Sequence, residues 1–369
     1  DAIHDCLKIA NLSINQIDMI AVSWDHIYML NEYYLKLAIK NKSRLDFLIK
    51  DIDRVKELFN LEDVIKKKLK FQGSIKFFKH HLCHLASSYY SSGFTNALLV
   101  SYDGCGEIDT MSIGSGDNGN ISLLELPNKY PNSLGLLYAA VTDYLGWKYS
   151  CDEGIVMGLA TLGNPDKVIP KKEDTYYEYF YKNIIQKENF QIELNMPNFM
   201  NFYEKRNVWV GDDFIKILGP KRNKDDPLEE RHKNIAAGLQ KCIEQIIINQ
   251  LRNAKNKYGY NKLCISGGVG LNCTLNGKIH DLNIFEEIFI VPPSGDQGTS
   301  VGAAFLGELN LTKNIKVKKR HNFYLGSRFD DSQIHKEIMN YDVNFILSKN
   351  LESDIAQHIF AGKIIGWFQ

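Results

Sequence analysis

Residues 262–298, KLCISGGVGLNCTLNGKIHDLNIFEEIFIVPPSGDQG, are the most informative segment for the fold class of this protein. It predicts a strand over 262–265, a helix over 271–281 and a second strand over 286–291, with a glycine-containing turn after each strand. A strand, a crossover helix and a second strand are typical of a parallel sheet covered by helices. Open sheets of this kind bind ligands outside the carboxyl ends of their strands, where both turns lie.

The chain upstream extends this pattern. Strands are predicted over 74–79, 96–102, 108–114 and 120–126, and a helix is predicted over 80–92. Together with the opening stretch they indicate an α/β protein.

Two segments are less regular. A long, charged helical segment is predicted over 27–71. Region 164–230 is interpreted as an insertion with short helices, which we expect to act as a cap over a part of the protein that the sequence does not identify. In the first segment we expect apolar residues at helical spacing to pack as one face. These residues are Leu45, Leu48, Ile49, Ile52, Val55, Leu58 and Phe59.

Length and charge restrict the class of function. At 369 residues the chain exceeds the roughly 250 to 300 of a single core, so we expect two lobes or domains. It has 44 basic and 44 acidic residues, and a net charge of zero creates no field for nucleic acid or an anionic membrane. We therefore expect a small-molecule substrate and neither a nucleic-acid nor a membrane partner. Seven cysteines without a CxxC pair favour the reducing cytoplasm.

The segment FFKHHLCHLASSYY, residues 77–90, contains three of the ten histidines. On a helix, His80 and His84 share a face because they are four residues apart, whereas His81 points elsewhere. Two imidazoles on one face can anchor a metal. His81 stands where HExxH peptidases have their glutamate, so we exclude that class. A pair of histidines that only decorates a helix end stays an equal alternative at this point.

Two aspartates follow predicted strands. Asp103 lies in the turn DGCGE after ALLVSY, and Asp296 lies in SGDQG after IFIV. Either one alone is equally well explained as a turn-forming side chain. With His80 and His84 they make a two-histidine, two-carboxylate set, which suits Fe²⁺, Mn²⁺ or Zn²⁺ better than Ca²⁺.

The turn at Gly267 and Gly268 joins a strand to a helix, so its N–H groups can receive a nucleotide phosphate. It matches neither the Walker A nor the GxGxxG pattern. A tight connection without a ligand is the simpler interpretation of this turn by itself.

Six motifs in one order carry a resemblance to a known family. They are HHLCHLASSYY, VSYDGCGEIDT, SLGLLYAAVTDYLG, EGIVMGLATLG, CISGGVGLNCTLNG and PPSGDQGTSVGAA. In this order they closely resemble the O-carbamoyltransferases of the nodulation-factor and antibiotic-tailoring type, over about residues 74–310. The resemblance implies the two-lobed fold of actin, sugar kinases and heat-shock chaperones (the ASKHA fold), in the form found in tRNA threonylcarbamoyl-transfer enzymes.

The resemblance also implies roles for particular residues. His80, His84, Asp103 and Asp296 would hold a divalent metal, usually iron, and the first three would be catalytic. The residues along the nucleotide would be Gly267, Gly268 and Asn272, with Gly154 and Gly158 lining the same cleft.

The implied chemistry needs two domains. A YrdC-like domain would use carbamoyl phosphate and ATP to make carbamoyladenylate, and the ASKHA-type domain would transfer the carbamoyl group to an acceptor hydroxyl of a saccharide or secondary metabolite. We expect residues 1–312 to form the transfer domain without its first strands. Residues 313–369 would be a linker and the truncated beginning of the YrdC-like domain, so the chain would be incomplete for the overall activity.

Alternatives stay open. A sugar or acetate-type kinase of the same fold would transfer phosphate with Mg²⁺ but has no use for HxxxH. A non-catalytic nucleotide-binding or partner-binding module is the other alternative, because a fold does not establish a function. Neutral charge disfavours a tRNA partner. A homodimer is compatible with the sequence, which does not determine the oligomeric state.

Overall fold

The computed structural model describes residues 2–188 and 190–367. Its strands are β1 (Met19–Val22), β2 (Ser74–Phe77), β3 (Asn96–Tyr102), β4 (Met111–Asp117), β5 (Asn120–Glu125), β6 (Ile184–Gln186), β7 (Ile192–Leu194), β8 (Lys262–Ser266) and β9 (Glu287–Ile290). Its α-helices are α1 (Ala2–Ala10), α2 (His26–Met29), α3 (Lys36–Lys40), α4 (Lys42–Lys50), α5 (Ile52–Phe59), α6 (Leu61–Leu69), α7 (His80–Ser92), α8 (Leu134–Tyr144), α9 (Glu153–Ala160), α10 (Tyr176–Lys182), α11 (Asp212–Leu218), α12 (Glu230–Tyr258), α13 (Cys273–Asp281), α14 (Thr299–Thr312), α15 (Asp331–Ile338) and α16 (Leu351–Phe360).

The chain forms two compact units. One comprises residues 12–323, and the other comprises residues 2–11 together with 324–367. The smaller unit contains α1, α15 and α16. Within it α15 begins at a capping box, in which the Asp330 side chain accepts a hydrogen bond from the Gln333 backbone N–H. The proposed division at residues 312 and 313 stays a prediction.

A five-stranded sheet in the order β5-β4-β3-β8-β9 forms the centre of the larger unit. Strands β3, β4 and β5 are antiparallel, whereas β8 and β9 run parallel to β3. The predicted α/β class and the β8–α13–β9 crossover are therefore confirmed. Strand β4 begins at Met111 rather than at residue 108, because residues 103–110 form a turn in which Asp109 bridges to Lys129.

Both faces of this sheet are buried. Along β3, Leu98 and Val100 enter one hydrophobic core, and Ala97 and Leu99 enter the other, as the two-residue period of a strand requires. Helices α8 and α12 contribute to the first core, while α7 and α14 contribute to the second. A Cβ at Gly302 of α14 would overlap the Cys83 carbonyl oxygen of α7, so the absence of a side chain there allows these helices to approach closely.

The insertion is more than a peripheral cap. Its rings Tyr179, Phe180, Phe199 and Phe214 lie 5.5–6.2 Å apart in mutual contacts and belong to the same core as α12. Aromatic side chains bury large areas, so this segment stabilises the domain from within. It also contains the antiparallel pair β6 and β7, which its weak periodicity did not predict.

The charged segment 27–71 is helical but broken. Helices α2–α6 replace a single element, and a π-helical stretch, Leu30–Leu35, lies between α2 and α3. Only part of the predicted apolar face is packed, since Leu48, Val55 and Leu58 contact the small core around Met29, Leu30 and Tyr34. The side chains of Ile49 and Phe59 are 60% and 70% exposed, so the prediction was wrong for them.

The cysteines and the apolar helices were also compared with the expectations from composition. All seven cysteines are free thiols. Over residues 2–188 and 190–367, no helix combines the length and the apolar character that crossing a bilayer requires.

Candidate metal centre

The two histidines at spacing four lie on the first turns of α7. Their imidazole centroids are 4.5 Å apart and both side chains are fully buried. His81 points away, with Nε2 2.8 Å from the Asp109 carbonyl oxygen and Nδ1 3.2 Å from Ser101 Oγ. Burial lowers the pKa of His81 to about 3, so it is a neutral, structural histidine. The spacing thus separates the three side chains as predicted.

Asp103 meets these imidazoles from the end of β3. Its Oδ1 accepts a hydrogen bond of 2.9 Å from the Gly268 backbone N–H. Its Oδ2 lies 3.3 Å from His80 Nε2 and 3.8 Å from His84 Nε2. The Asp103 side chain is 8% exposed, and its main-chain carbonyl accepts a hydrogen bond from Ser133 Oγ. This aspartate is therefore held with one oxygen directed at both histidines.

Asp296 completes the group from the turn before α14. Its Oδ1 lies 3.4 Å from His80 Nε2 and 3.7 Å from His84 Nε2. One donor atom from each of the four residues lies within 4.8 Å of the other three. The Asp296 side chain is 63% exposed, in contrast to the other three. The cluster is therefore closed on the side of Asp103 and open on the side of Asp296.

The charges of the cluster depend on one another. Burial alone would lower the pKa of His80, but the adjacent carboxylates of Asp103 and Asp296 raise it to about 10. Burial would likewise raise the pKa of Asp103, yet the two imidazoles hold it well below its usual range. The adjacent imidazoles of His80 and His84 lower the pKa of Asp296 to about 2. Both carboxylates are thus ionised at neutral pH, and the site favours added positive charge.

The donor set fits a divalent transition metal. None of the four ring nitrogens of His80 and His84 has a hydrogen-bond partner among the described residues. Buried polar atoms normally have partners, so these nitrogens indicate a missing one. Two imidazoles and two carboxylates match the preferences of Fe²⁺, Mn²⁺ and Zn²⁺.

The glycine turn supports the cluster directly. Gly267 has a φ of +87°, and a Cβ there would overlap the Tyr102 carbonyl oxygen, so the fold itself requires this glycine. The N–H of Gly268 is used in fixing Asp103. The predicted contact of these two glycines with a nucleotide stays a prediction.

Asn272 has protein partners. Its Oδ1 caps α13 by accepting from the Leu275 N–H at 3.0 Å, and it also accepts from Gln240 Nε2 at 3.0 Å. Its Nδ2 donates to Gln240 Oε1 at 2.9 Å. These bonds satisfy the buried amide within the protein, and its predicted role beside a nucleotide stays a prediction.

Gly154 and Gly158 lie on an exposed face of α9. A Cβ at either position would have no atom within 4 Å. Met157 Sδ of the same helix lies 3.8 Å from Cys273 Sγ, so α9 runs beside the first turn of α13. The structure therefore places this bare helix surface next to the turn that follows β8.

Sequence reasoning missed two residues beside the cluster. The Trp24 ring centroid lies 4.5 Å from that of His80. The buried Glu107 accepts a hydrogen bond from the His80 backbone N–H. Only Glu107 had a local signal, as a charged residue in the glycine-rich turn DGCGEID.

The fold and the cluster define an α/β protein with a candidate two-histidine, two-aspartate metal centre. Residues 3–305 match the family model described as "Carbamoyltransferase N-terminus". The chain therefore belongs to this family, and its resemblance to nodulation-type carbamoyltransferases is confirmed.

Curated relatives and a solved structure give further similarities. The chain is 30% identical to the uncharacterized protein sll1178 of Synechocystis sp. over 387 aligned positions, which cover 100% of the chain and 61% of the relative. It is also 30% identical to the nodulation protein NolNO of Sinorhizobium fredii over 300 aligned positions, which cover 80% of the chain and 41% of the relative. These values mean that the chain spans about half the length of such relatives. Among solved structures, T. kodakarensis HypF aligns with 70% of the chain and 39% of its own length, at 16% sequence identity. The TM-score of this superposition is 0.35, so we base no conclusion on it.

Proposed function

We propose that this chain is the transfer part of an O-carbamoyltransferase. It would move the carbamoyl group of carbamoyladenylate to a hydroxyl of a saccharide or secondary metabolite. The acceptor oxygen forms a bond to the carbamoyl carbon, the bond from that carbon to the adenylate phosphate oxygen breaks, and AMP leaves with the electron pair while the hydroxyl proton goes to a base. The observation that carries this proposal is the convergence of His80, His84, Asp103 and Asp296 in a chain of this family.

The fold proposed for the larger unit is the ASKHA fold. A mixed sheet with helices on both faces supports it, as does the position of the cluster at the carboxyl ends of β3 and β9. Residues 313–369 are proposed to be the linker and the beginning of a YrdC-like domain. That domain would consume ATP and carbamoyl phosphate.

The four clustered residues would hold the metal, for which we propose Fe²⁺. Bound there, a divalent ion supplies Lewis acidity toward the carbamoyl oxygen or the adenylate phosphate. The protein's own contribution is preorganisation, because the Gly268 N–H fixes one Asp103 oxygen and leaves the other directed inward. Since Asp296 is the exposed member, the donor and the acceptor would approach from its side.

The nucleotide is proposed to lie between the glycine turn and α9. Gly154 and Gly158 leave the surface of α9 bare, and the contact between Met157 and Cys273 brings this surface beside the start of α13. A flat face without side chains admits a planar base closely, and N–H groups at the start of a helix favour phosphate.

The first test measures metal and nucleotide binding. We expect about one equivalent of iron or another divalent metal by elemental analysis and ADP binding by calorimetry. The variant His84→Ala should lose the metal. His280→Ala removes an exposed histidine outside the cluster and should retain it. A metal-free protein that binds ATP only with Mg²⁺ would favour a kinase, and a protein that binds neither would favour a non-catalytic module.

The second test measures transfer. Synthetic carbamoyladenylate is supplied with a panel of amino sugars, oligosaccharides and alcohols, and AMP release and carbamoylated product are followed by mass spectrometry. We expect acceptor-dependent AMP release by the chain and none by His84→Ala. AMP release at the same rate with and without each acceptor would contradict the transfer assignment.

A further inference from the structure

Among the described residues, none forms a hydrogen bond that would set the orientation of the His80 imidazole. A metal-binding histidine usually donates its second ring N–H to a carboxylate or carbonyl, which fixes the ring. Here neither ring nitrogen of His80 has such a partner among the described residues. Packing and the backbone must therefore orient this ring.

Packing is close on two sides of His80. The indole of Trp24 lies at a centroid distance of 4.5 Å, with the two ring planes inclined by 44°. Gly106 lies against another side, where a Cβ would come within 3.1 Å of both Cβ and Cδ2 of His80. The ring has little room to turn, because any side chain at position 106 would push against it.

One carboxylate oxygen ties these elements together. Glu107 Oε1 accepts 2.7 Å from the Asp25 N–H and 2.9 Å from the His80 N–H. Asp25 follows Trp24 in the chain, and Glu107 follows Gly106. The Glu107 side chain thus joins the backbone of His80 to the two segments that confine its ring. Glu107 is 1% exposed, so water does not compete for these bonds.

We propose that Glu107 is a positioning residue that, with Trp24, sets the orientation of the His80 imidazole. As far as it concerns a bound metal, this inference rests on the proposed function. A helix cap alone would also explain a bond to the first N–H of α7. The bond to Asp25 distinguishes the two, because a simple cap has no need to hold the Trp24 segment as well.

The test compares Glu107→Ala with Glu107→Gln, which keeps an acceptor oxygen. Co²⁺ alone is the probe, with its affinity measured by calorimetry and its coordination by visible absorption. We expect Glu107→Ala to raise the Kd by about 10- to 100-fold and to alter the spectrum, and Glu107→Gln to restore both to near the wild-type values. Thr175→Ala removes the cap of α10, a helix distant in sequence, and controls for lost stability alone. A Glu107→Ala protein with wild-type affinity and spectrum would overturn the inference.

A second readout needs no metal. In the metal-free protein, nuclear Overhauser effects between the Trp24 indole and the His80 ring report their packing. We expect these effects to be lost in Glu107→Ala and kept in Glu107→Gln and Thr175→Ala. Their persistence in Glu107→Ala would overturn the inference. Failure of wild-type protein to bind Co²⁺ would count against the proposed function instead. Should Glu107→Ala not fold, Trp24→Ala is expected to weaken Co²⁺ binding in the same way, and unchanged binding would contradict the proposal.

Discussion

Two buried charged regions of this protein contrast with each other. The cluster of His80, His84, Asp103 and Asp296 contains two carboxylates and two imidazoles, and the ring nitrogens lack hydrogen-bond partners within residues 2–188 and 190–367. Arg44 is a different case, a guanidinium that is 3% exposed and has no carboxylate within ion-pair distance in the described part of the chain, where its Nε also lacks a hydrogen-bond partner. Four aromatic rings surround it instead, with centroids 4.4–5.5 Å from Cζ: Tyr33, Phe47, Tyr130 and Tyr203.

The two regions differ in which groups stabilise their buried charges. Aromatic faces attract a cation, so the fold itself stabilises Arg44. Its NH1 also donates to Tyr130 Oη at 3.3 Å, and Tyr130 Oη donates to the Phe202 carbonyl at 3.0 Å. Arg44 therefore joins α4 to the insertion and has a structural role. In the cluster the carboxylates and imidazoles stabilise one another, but all four ring nitrogens of His80 and His84 lack a hydrogen-bond partner among the described residues. This is why we interpret the cluster, and not Arg44, as a binding site.

The largest effect is expected from Asp103→Asn. The variant keeps an oxygen for the Gly268 N–H but removes the inward negative charge, so metal affinity should fall by about 100-fold or more. Calorimetric titration of the chelated protein with Zn²⁺ or Co²⁺ measures it. Asp109→Asn is the matched control, because Asp109 is also buried but pairs with Tyr28 outside the cluster. Equal losses of metal affinity in both variants would contradict a specific role of the cluster in metal binding.

Arg44→Ala should affect stability and leave metal affinity unchanged. The empty aromatic cage is expected to cost about 2 to 4 kcal/mol in the free energy of unfolding, measured by urea denaturation. Arg44→Met fills the cage without the charge and should change that free energy by less than about 1 kcal/mol. A loss of metal in Arg44→Met would show that Arg44 belongs to the binding site.

A smaller effect is expected at Asn272, whose side-chain amide already has hydrogen-bond partners within the protein. Asn272→Ala removes the cap of α13 and the pairing with Gln240, so we expect a loss of about 1 to 2 kcal/mol in stability. Asn272→Asp keeps the capping oxygen and should lose less. Thermal denaturation of the wild-type protein and the two variants measures their order of stability. An alanine variant more stable than the aspartate variant would refute the capping role.

The smallest effect is expected from Gly158→Ala. Alanine fits the open space on α9 and should stabilise the protein by about 0.5 to 1 kcal/mol, while ADP affinity falls because a methyl group occupies the proposed nucleotide face. Gly277→Ala, also in a helix with open space around it, is the control and should stabilise without this loss. Unchanged ADP affinity in Gly158→Ala would remove this glycine from the nucleotide site.

Local patterns predicted some features better than others. Helix α7 was predicted with its observed bounds, and the crossover unit around β8 and β9 was predicted within about two residues. The breaks in segment 27–71 and the pair β6 and β7 were missed. Helix breaks at Asn41, Asp51 and Asn60 interrupt a continuous amphipathic pattern without a proline or glycine to mark them.

The α/β order of elements, the family and the four residues of the cluster could all be predicted from the amino-acid sequence. Helical spacing places His80 and His84 on one face, and strand ends place Asp103 and Asp296 at the carboxyl edge of the sheet. The ordered motifs of the family join these four residues into one set. The burial of Asp103, the exposure of Asp296 and the contact of Glu107 with Asp25 across 82 positions of the chain became visible only in the folded protein. Such contacts depend on how distant segments pack, and no local periodicity encodes that packing.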